Sequence, residues 1–411
     1  MAPITRKPGS LPPTGGGVGW GRPGADFLPG NRIALLETGA QYFPALIAAI
    51  DAAASEIHLE TYIFADDPTG RQIVAALSAA VRRGVVVRVL VDGFGAREFP
   101  DGPGRQLAEA GVQVQIYRAE IAPFKIRRHR LRRLHRKLVA IDGLVAFVGG
   151  INIIDDNDTP HLGPRFDYAV RIEGPLVAQV SASMAHLWRL IGWARLRRRP
   201  PVPPLSPSQY DDPTGGMQAA FIIRDNLRHR RDIEDAYLDA IANARTEIFL
   251  ANAYFLPGRR FRKLLRDAAA RGVAVTVMLQ GQVEYALLHY ATQALYGSLL
   301  KSGIRILEYR TGFLHAKVAV VDDHWATVGS SNIDPFSLLL AREANVVVRD
   351  AGFATQLRNS LRQASGEDTR EITRADLKRS SIFARSLRWT AYGLVRLMLG
   401  LTRYGGKDYR E

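Results

Sequence analysis

Short runs of β-branched and apolar residues punctuate this chain, and each follows a stretch with apolar positions three and four apart. The runs read as buried strands and the stretches as helices. "AAVRRGVVVRVLVDG" (79–93) shows the unit: a helix end, a Gly turn, then a strand. Helix and strand alternate in this way along most of the sequence, which predicts an α/β layer structure.

The alternation occurs twice, in the same order. "SEIHLETYIF" (55–64) is repeated as "TEIFLANAYF" (246–255). "AAVRRGVVVRVLVDG" is repeated as "AAARGVAVTVMLQG" (268–281), and "GVQVQIYR" (111–118) as "GIRILEYR" (303–310). The longest match is "LHRKLVAIDGLVAFVGGIN" (134–152) with "LHAKVAVVDDHWATVGSSN" (314–332). A period this long marks a duplicated domain. Pro, Ser and Gly crowd the segment between the copies. The expected divisions are a Pro/Gly-rich disordered lead-in (1–30), a first domain (31–197), a Pro-rich linker (198–216), a second domain (217–366) and a basic amphipathic tail (367–411).

Composition narrows the partners. The chain has 411 residues, 47% of them hydrophobic, enough to fill two cores. Its formal net charge of +15 favours anionic partners without choosing among nucleic acid, anionic lipid and phosphorylated substrates. Cysteine is absent, which excludes disulfides, thiol nucleophiles and cysteine zinc sites. No uncharged apolar run approaches the roughly 20 residues of a membrane span, and the lead-in lacks a signal-peptide core. Any membrane contact is therefore expected to be peripheral.

The most informative repeat is polar: His-x-Lys-x4-Asp, then a Gly-rich turn and Asn. The first copy is His135, Lys137, Asp142, Gly149, Gly150 and Asn152; the second is His315, Lys317, Asp322, Gly329, Ser330 and Asn332. In a strand, His and Lys two apart point to one face, and a returning strand delivers Asn to the same end. The aspartates fall at the hairpin turn, where a carboxylate ties down backbone amides. Such a set suits a phosphodiester. One neutral imidazole attacks phosphorus, a second protonates the leaving alcohol, and Lys and Asn offer donors to the phosphoryl oxygens. No metal or other cofactor is required. A chance match to His-x-Lys-x4-Asp has a probability on the order of one in a hundred at this composition, so a second match in register is not accidental.

These paired motifs resemble those of the phospholipase D superfamily. The resemblance implies two tandem phospholipase D-like domains, each a β-sheet flanked by helices, related by a pseudo-twofold axis and sharing one active site. It implies catalytic motif residues His135, Lys137, Asp142, His315, Lys317 and Asp322, with Asn152, Asn332, Asp167, Glu343 and Ser330 in support. By the same resemblance Asp167 and Glu343 are the acids that orient the imidazoles, and His135 is the nucleophile with His315 the acid, although the symmetry of the two motifs allows the reverse. Asp323, where the first motif has Gly143, changes the turn and not the chemistry.

"LETYIFADDPTGRQIVAAL" and "DDHWATVGSSNIDPFSLLLAREANVVV" resemble the bacterial cardiolipin synthase branch, closest to its B type. That implies transfer of a phosphatidyl group from one phosphatidylglycerol to another, with phosphatidylethanolamine a second possible lipid substrate. The alternative is a hydrolase of the same superfamily, a phospholipase D or a nuclease. The basic run "KIRRHRLRRLHRK" (125–137) and the Arg-rich apolar stretch 380–406 favour an anionic membrane surface over nucleic acid. The expected location is the cytoplasmic side of a bacterial membrane.

Overall fold

The structure, a computed structural model, describes residues 26–118, 132–159, 163–194, 215–366 and 369–402. The first half runs β1 (Leu28–Glu37), α1 (Thr38–Asp51), β2 (Glu56–Thr61), α2 (Pro68–Arg82), β3 (Val86–Asp92), α3 (Pro103–Glu109), β4 (Gln113–Tyr117), β5 (Lys137–Ile141), β6 (Val145–Gly149), β7 (Arg165–Phe166), β8 (Tyr168–Glu173) and α4 (Leu176–Ala194). The second runs β9 (Met217–Arg224), α5 (Asp232–Asn243), β10 (Glu247–Asn252), α6 (Arg259–Ala270), β11 (Ala274–Gln280), α7 (Ala286–Lys301), β12 (Arg305–Tyr309), β13 (Phe313–Leu314), β14 (Lys317–Val321), β15 (Trp325–Gly329), α8 (Pro335–Leu339), β16 (Glu343–Arg349) and α9 (Ala351–Ala364). β17 (Thr369–Ile372), α10 (Arg374–Arg379) and α11 (Ile382–Thr402) follow.

The duplication is visible in the sheet. The first half has the strand order β4-β3-β2-β5-β6-β8-β1 and the second β12-β11-β10-β14-β15-β16-β9, the same arrangement read from opposite edges. The short runs that begin after Gly turns, β3 and β11, pair in parallel with β2 and β10; the polar hairpins pair antiparallel, β5 with β6 and β14 with β15. At the seam β1 makes a long ladder with β8 and two pairings with β9. Buried Asn31 sits at this seam: its side-chain amide donates to the Leu28 carbonyl at 2.7 Å and to the Met217 carbonyl of β9 at 3.5 Å, and its side-chain oxygen accepts from the Leu176 amide at 2.9 Å. Fifteen of the seventeen strands of the described residues thus join in one sheet, and the other two, β7 and β13, pair in parallel across the halves.

Three apolar cores explain why the halves dock. One lies under α1, α2 and α3 and includes Leu46, Ile73 and Leu77. A second lies under α5, α6 and α7 and includes Ile241, Leu265 and Leu299. The third belongs to both halves. Leu138, Val148 and Val170 meet Val318, Val328 and Val346 there, closed by Met184 of α4 and Leu357 of α9. Burial of apolar surface at about 25 cal/mol per Å² makes this shared core the main adhesive between the repeats.

The edges differ from the sequence divisions. β1 begins at Leu28, inside the expected lead-in, whose residues 1–25 lie outside the described residues. Most of the linker and most of the basic run 125–137 also lie outside them. The tail is built onto the second half: β17 extends the sheet at β12, and α11 packs on α7 through buried Ala391 and Val395. A capping box of Thr373 and Asp376 starts α10 between them.

Candidate active site

The two polar hairpins place their histidines just before β5 and β14, at the seam between the halves. Each histidine backbone is held by the opposite half. The His135 amide donates to the Arg342 carbonyl and the His315 amide to the Phe166 carbonyl, both at 2.9 Å. The residue after each of those carbonyls is the acid that meets the same imidazole. Glu343 lies 3.1 Å from His135 Nδ1, and Asp167 lies 2.6 Å from His315 Nδ1. So each acid serves the histidine of the other repeat. The sequence placed both acids downstream of their own motifs and left this crossing invisible.

The inner neighbours are matched to the length of each acid. Gly150 sits where any Cβ would strike the Asp167 carboxylate. The longer Glu343 leaves room for a hydroxyl at the equivalent Ser330, whose Oγ donates to it at 2.6 Å and accepts from the Ala344 amide at 3.0 Å. One position thus carries Gly beside Asp and Ser beside Glu.

Both lysines are buried. Lys137 Nζ donates to the His135 carbonyl at 2.5 Å and stands 5.4 Å from the centre of the Tyr62 ring. Burial lowers Lys137 to about 7 from its ordinary value. Lys317 Nζ is 3.4 Å from Asp167 and 2.7 Å from His315 Nδ1, and burial lowers it as well. Asp167 stays below the ordinary carboxylate range: burial pushes it up, but Lys317 and His315 overcome that. Burial lowers both imidazoles, His315 to about 3, and each also feels the ammonium of both lysines. The two motifs therefore act on one another across the seam, as a single site requires. On the protein's own charges both imidazoles are neutral at neutral pH; an anion between the lysines would restore basicity. The rings keep 17% and 13% of their side-chain surface, so a reacting group can reach them.

Asn152 is anchored by its side-chain oxygen, which accepts from the Ile63 amide at 3.0 Å. Asn332 is equally buried, with its side-chain oxygen unpaired. Asp142 and Asp322, counted within the catalytic motif by the sequence reading, stand apart from it. They follow the far ends of β5 and β14 in left-handed conformation, φ 52° and 51°. Asp142 accepts from the amides of Ala54, Ser55 and Glu56 at 2.7–2.8 Å. Asp322 does the same with Arg245, Thr246 and Glu247. Their work is to fix the starts of β2 and β10, as turn carboxylates do.

The sequence reading missed a second layer. Arg136 is clamped to Glu60 by contacts of 2.5 and 2.9 Å beneath the site. Asp92 accepts from the Leu134 amide at 2.8 Å, and its counterpart Gln280 accepts from the Leu314 amide at 3.1 Å. Only the repeat alignment of 79–93 with 268–281, which pairs Asp92 with Gln280, could have pointed to this.

The chain matches the family model described as "Cardiolipin synthase, PLD-like domain" over residues 46–188 and 237–364. It is 41% identical over 354 residues to cardiolipin synthase B of Escherichia coli K12, covering 84% of this chain and 82% of that protein. To cardiolipin synthase A of Pseudomonas entomophila it is 32% identical, covering 85% of this chain and 71% of that one. Among solved structures, phosphatidylserine synthase of Haemophilus influenzae superposes with a TM-score of 0.68 at 14% identity, covering 93% of this chain and 97% of that one, a likeness of fold.

Proposed function

The chain belongs to the phospholipase D-like cardiolipin synthase family, and from that premise we propose how its residues join two phosphatidylglycerols into cardiolipin and glycerol. It is a phosphatidyltransferase with phospholipid substrates. The observation that carries the mechanism is the pair of histidine–acid contacts crossing the seam, each beside a buried lysine.

With Glu343 at its Nδ1, His135 presents Nε2 to phosphorus. As the phosphorus–nitrogen bond forms, the bond to the glycerol oxygen breaks and His315 supplies that oxygen with a proton. A hydroxyl of the second phosphatidylglycerol then gives its proton to His315 and attacks. The phosphorus–nitrogen bond breaks and a new phosphodiester replaces the old. Lys137 and Lys317 offset the charge on the non-bridging oxygens, with Asn152 and Asn332 beside them. The bound phosphate raises His315 from its lowered value and so loads it with the proton it must donate.

Vesicles of phosphatidylglycerol incubated with the purified protein are expected to yield cardiolipin and free glycerol by lipid mass spectrometry. Phosphatidic acid as the sole product would make the protein a hydrolase, and no reaction would turn attention to phosphatidylethanolamine as donor.

Membrane contact is assigned to α11. Among the described residues no helix is long and apolar enough to cross a membrane. α11 instead exposes Ile382, Phe383, Trp389, Leu394 and Leu397 on the side away from Ala391 and Val395, with Arg385 and half-buried Arg396 among them, while Arg388 turns back to Gln293 of α7 at 2.9 Å. That pattern suits an interfacial helix on an anionic leaflet, here the cytoplasmic one, with the protein bound peripherally. The double variant Phe383→Ser, Trp389→Ser is expected to co-sediment with phosphatidylglycerol vesicles about tenfold less well. Unchanged sedimentation would move the contact elsewhere.

A further inference from the structure

The two halves present unlike walls to the site they share. The repeat aligns Tyr62, Asp92, Phe94 and Arg97 of the first half with Ala253, Gln280, Gln282 and Tyr285 of the second, and Ala96 with Glu284. The first wall is cationic and aromatic. Arg97 and Arg133 lie over the Phe94 ring at 4.1 and 4.5 Å, and Tyr62 packs 5.0 Å from the His135 ring. Anionic phosphate suits such a wall.

The second wall is a narrow cleft lined by Ala253, Tyr254, Gln280, Glu284, Tyr285 and His289. Tyr254 donates its hydroxyl hydrogen to Glu284, and the Tyr254 and Tyr285 rings meet edge to face at 5.7 Å. Gln280 is 94% buried, its oxygen taken by the Leu314 amide, while its Nε2 has no hydrogen-bond partner. The cleft therefore offers one unused buried donor close to one carboxylate acceptor. A phosphate would meet repulsion from Glu284. A hydroxyl group meets both needs, accepting from Gln280 Nε2 and donating to Glu284.

The cleft is on the acid side of the centre: Gln280, which lines it, accepts from the amide of Leu314, the residue before His315. In the mechanism above, alcohols leave and attack on the His315 side.

We propose that Gln280, Glu284 and Tyr254 form a polyol subsite, holding the hydroxyl adjacent to the reacting oxygen in both the departing glycerol and the attacking glycerol headgroup. The inference rests on the transferase reading and on His315 as the acid. A carboxylate that accepts from a vicinal hydroxyl favours a diol over an alcohol with a single hydroxyl, and it sets the reacting oxygen against His315. Hydrogen bonds to a charged group are strong enough to discriminate by an order of magnitude.

Phosphatidylglycerol vesicles supplied with deuterated glycerol or with 1-propanol separate the possibilities, with labelled phosphatidylglycerol and phosphatidylpropanol read by mass spectrometry. Glu284→Gln and, separately, Tyr254→Phe are expected to slow both products through the departing glycerol and, beyond that, to lower the ratio of labelled phosphatidylglycerol to phosphatidylpropanol by about tenfold, mainly as a raised KM for glycerol. Equal loss of both products, or an unaltered preference, would overturn the subsite. Failure of the unaltered protein to make either product would instead overturn the transferase reading beneath it.

Discussion

Alanine at His135 is expected to abolish phosphatidyl transfer whatever the donor, by about four orders of magnitude in turnover. On the proposed mechanism His135 is the nucleophile, with its imidazole fixed through Glu343 at 3.1 Å and its backbone amide on the Arg342 carbonyl. Alanine at His315 is expected to be equally damaging with phosphatidylglycerol, but not with every substrate. A p-nitrophenyl phosphodiester needs no proton on its leaving group. His315→Ala should therefore still release nitrophenol once per active site while failing to turn over. His135→Ala should release none. Nitrophenol bursts from both variants would sink the division of roles, and a burst from His135→Ala alone would reverse it. A phosphatidyl adduct recovered on the His135 peptide from stalled His315→Ala enzyme would confirm the assignment directly.

The second large effect is expected at Asp167. Asparagine there keeps the shape but removes the charge that orients His315 and stands 3.4 Å from Lys317. Turnover on phosphatidylglycerol is expected to fall about a thousandfold, because the amide no longer fixes the donor nitrogen of the imidazole. Without the carboxylate, His315 loses a group that raises its pKa, so the proton donor weakens further. The loss should be far smaller in the nitrophenol burst from the nitrophenyl diester, a step in which the acid is idle. A purely structural defect would lower both substrates alike. Lys317 has no exposed side-chain surface, and losing its counter-charge should also cost about 3 kcal/mol of stability unless the lysine gives up its proton. Denaturant melts at pH 7 and pH 9 would separate these cases: a lysine that stays charged at pH 7 and is freed of its proton at pH 9 makes the variant's deficit smaller at the higher pH.

Much of this was legible in the sequence because duplication prints the same physical constraints twice. His135 and His315, the alternating strands around them and the Gly-rich returns all appear in register. What was hidden depends on the third dimension. Asp167 and Glu343 follow their own motifs in the chain, so nothing along it says that each reaches the other repeat's histidine. Asp142 and Asp322, by contrast, were legible as turn carboxylates, and a strand of five residues does carry each away from its histidine to the hairpin turn. Gly150 reads as a turn glycine, whereas its role is to make space for a carboxylate. The tail reads as a free amphipathic segment because its buried positions, Ala391 and Val395, are few among many apolar ones. The polyol cleft is where the repeat breaks down, and differences between copies carry no signal until the structure puts them against the site.

The crossing of acids and histidines also bears on how the protein is made. The first half leaves the ribosome with His135 and Lys137 but without Glu343 or the Arg342 carbonyl that seats the histidine backbone. On the proposed mechanism its imidazole then lacks both the acid that orients it and half of the shared centre. An exposed, half-assembled centre of this kind could pass phosphatidyl groups to water and scar the surrounding bilayer with phosphatidic acid. On the proposed mechanism the centre is complete only once β16 is in place and the shared apolar seam has closed, which ties the chemistry to the finished fold.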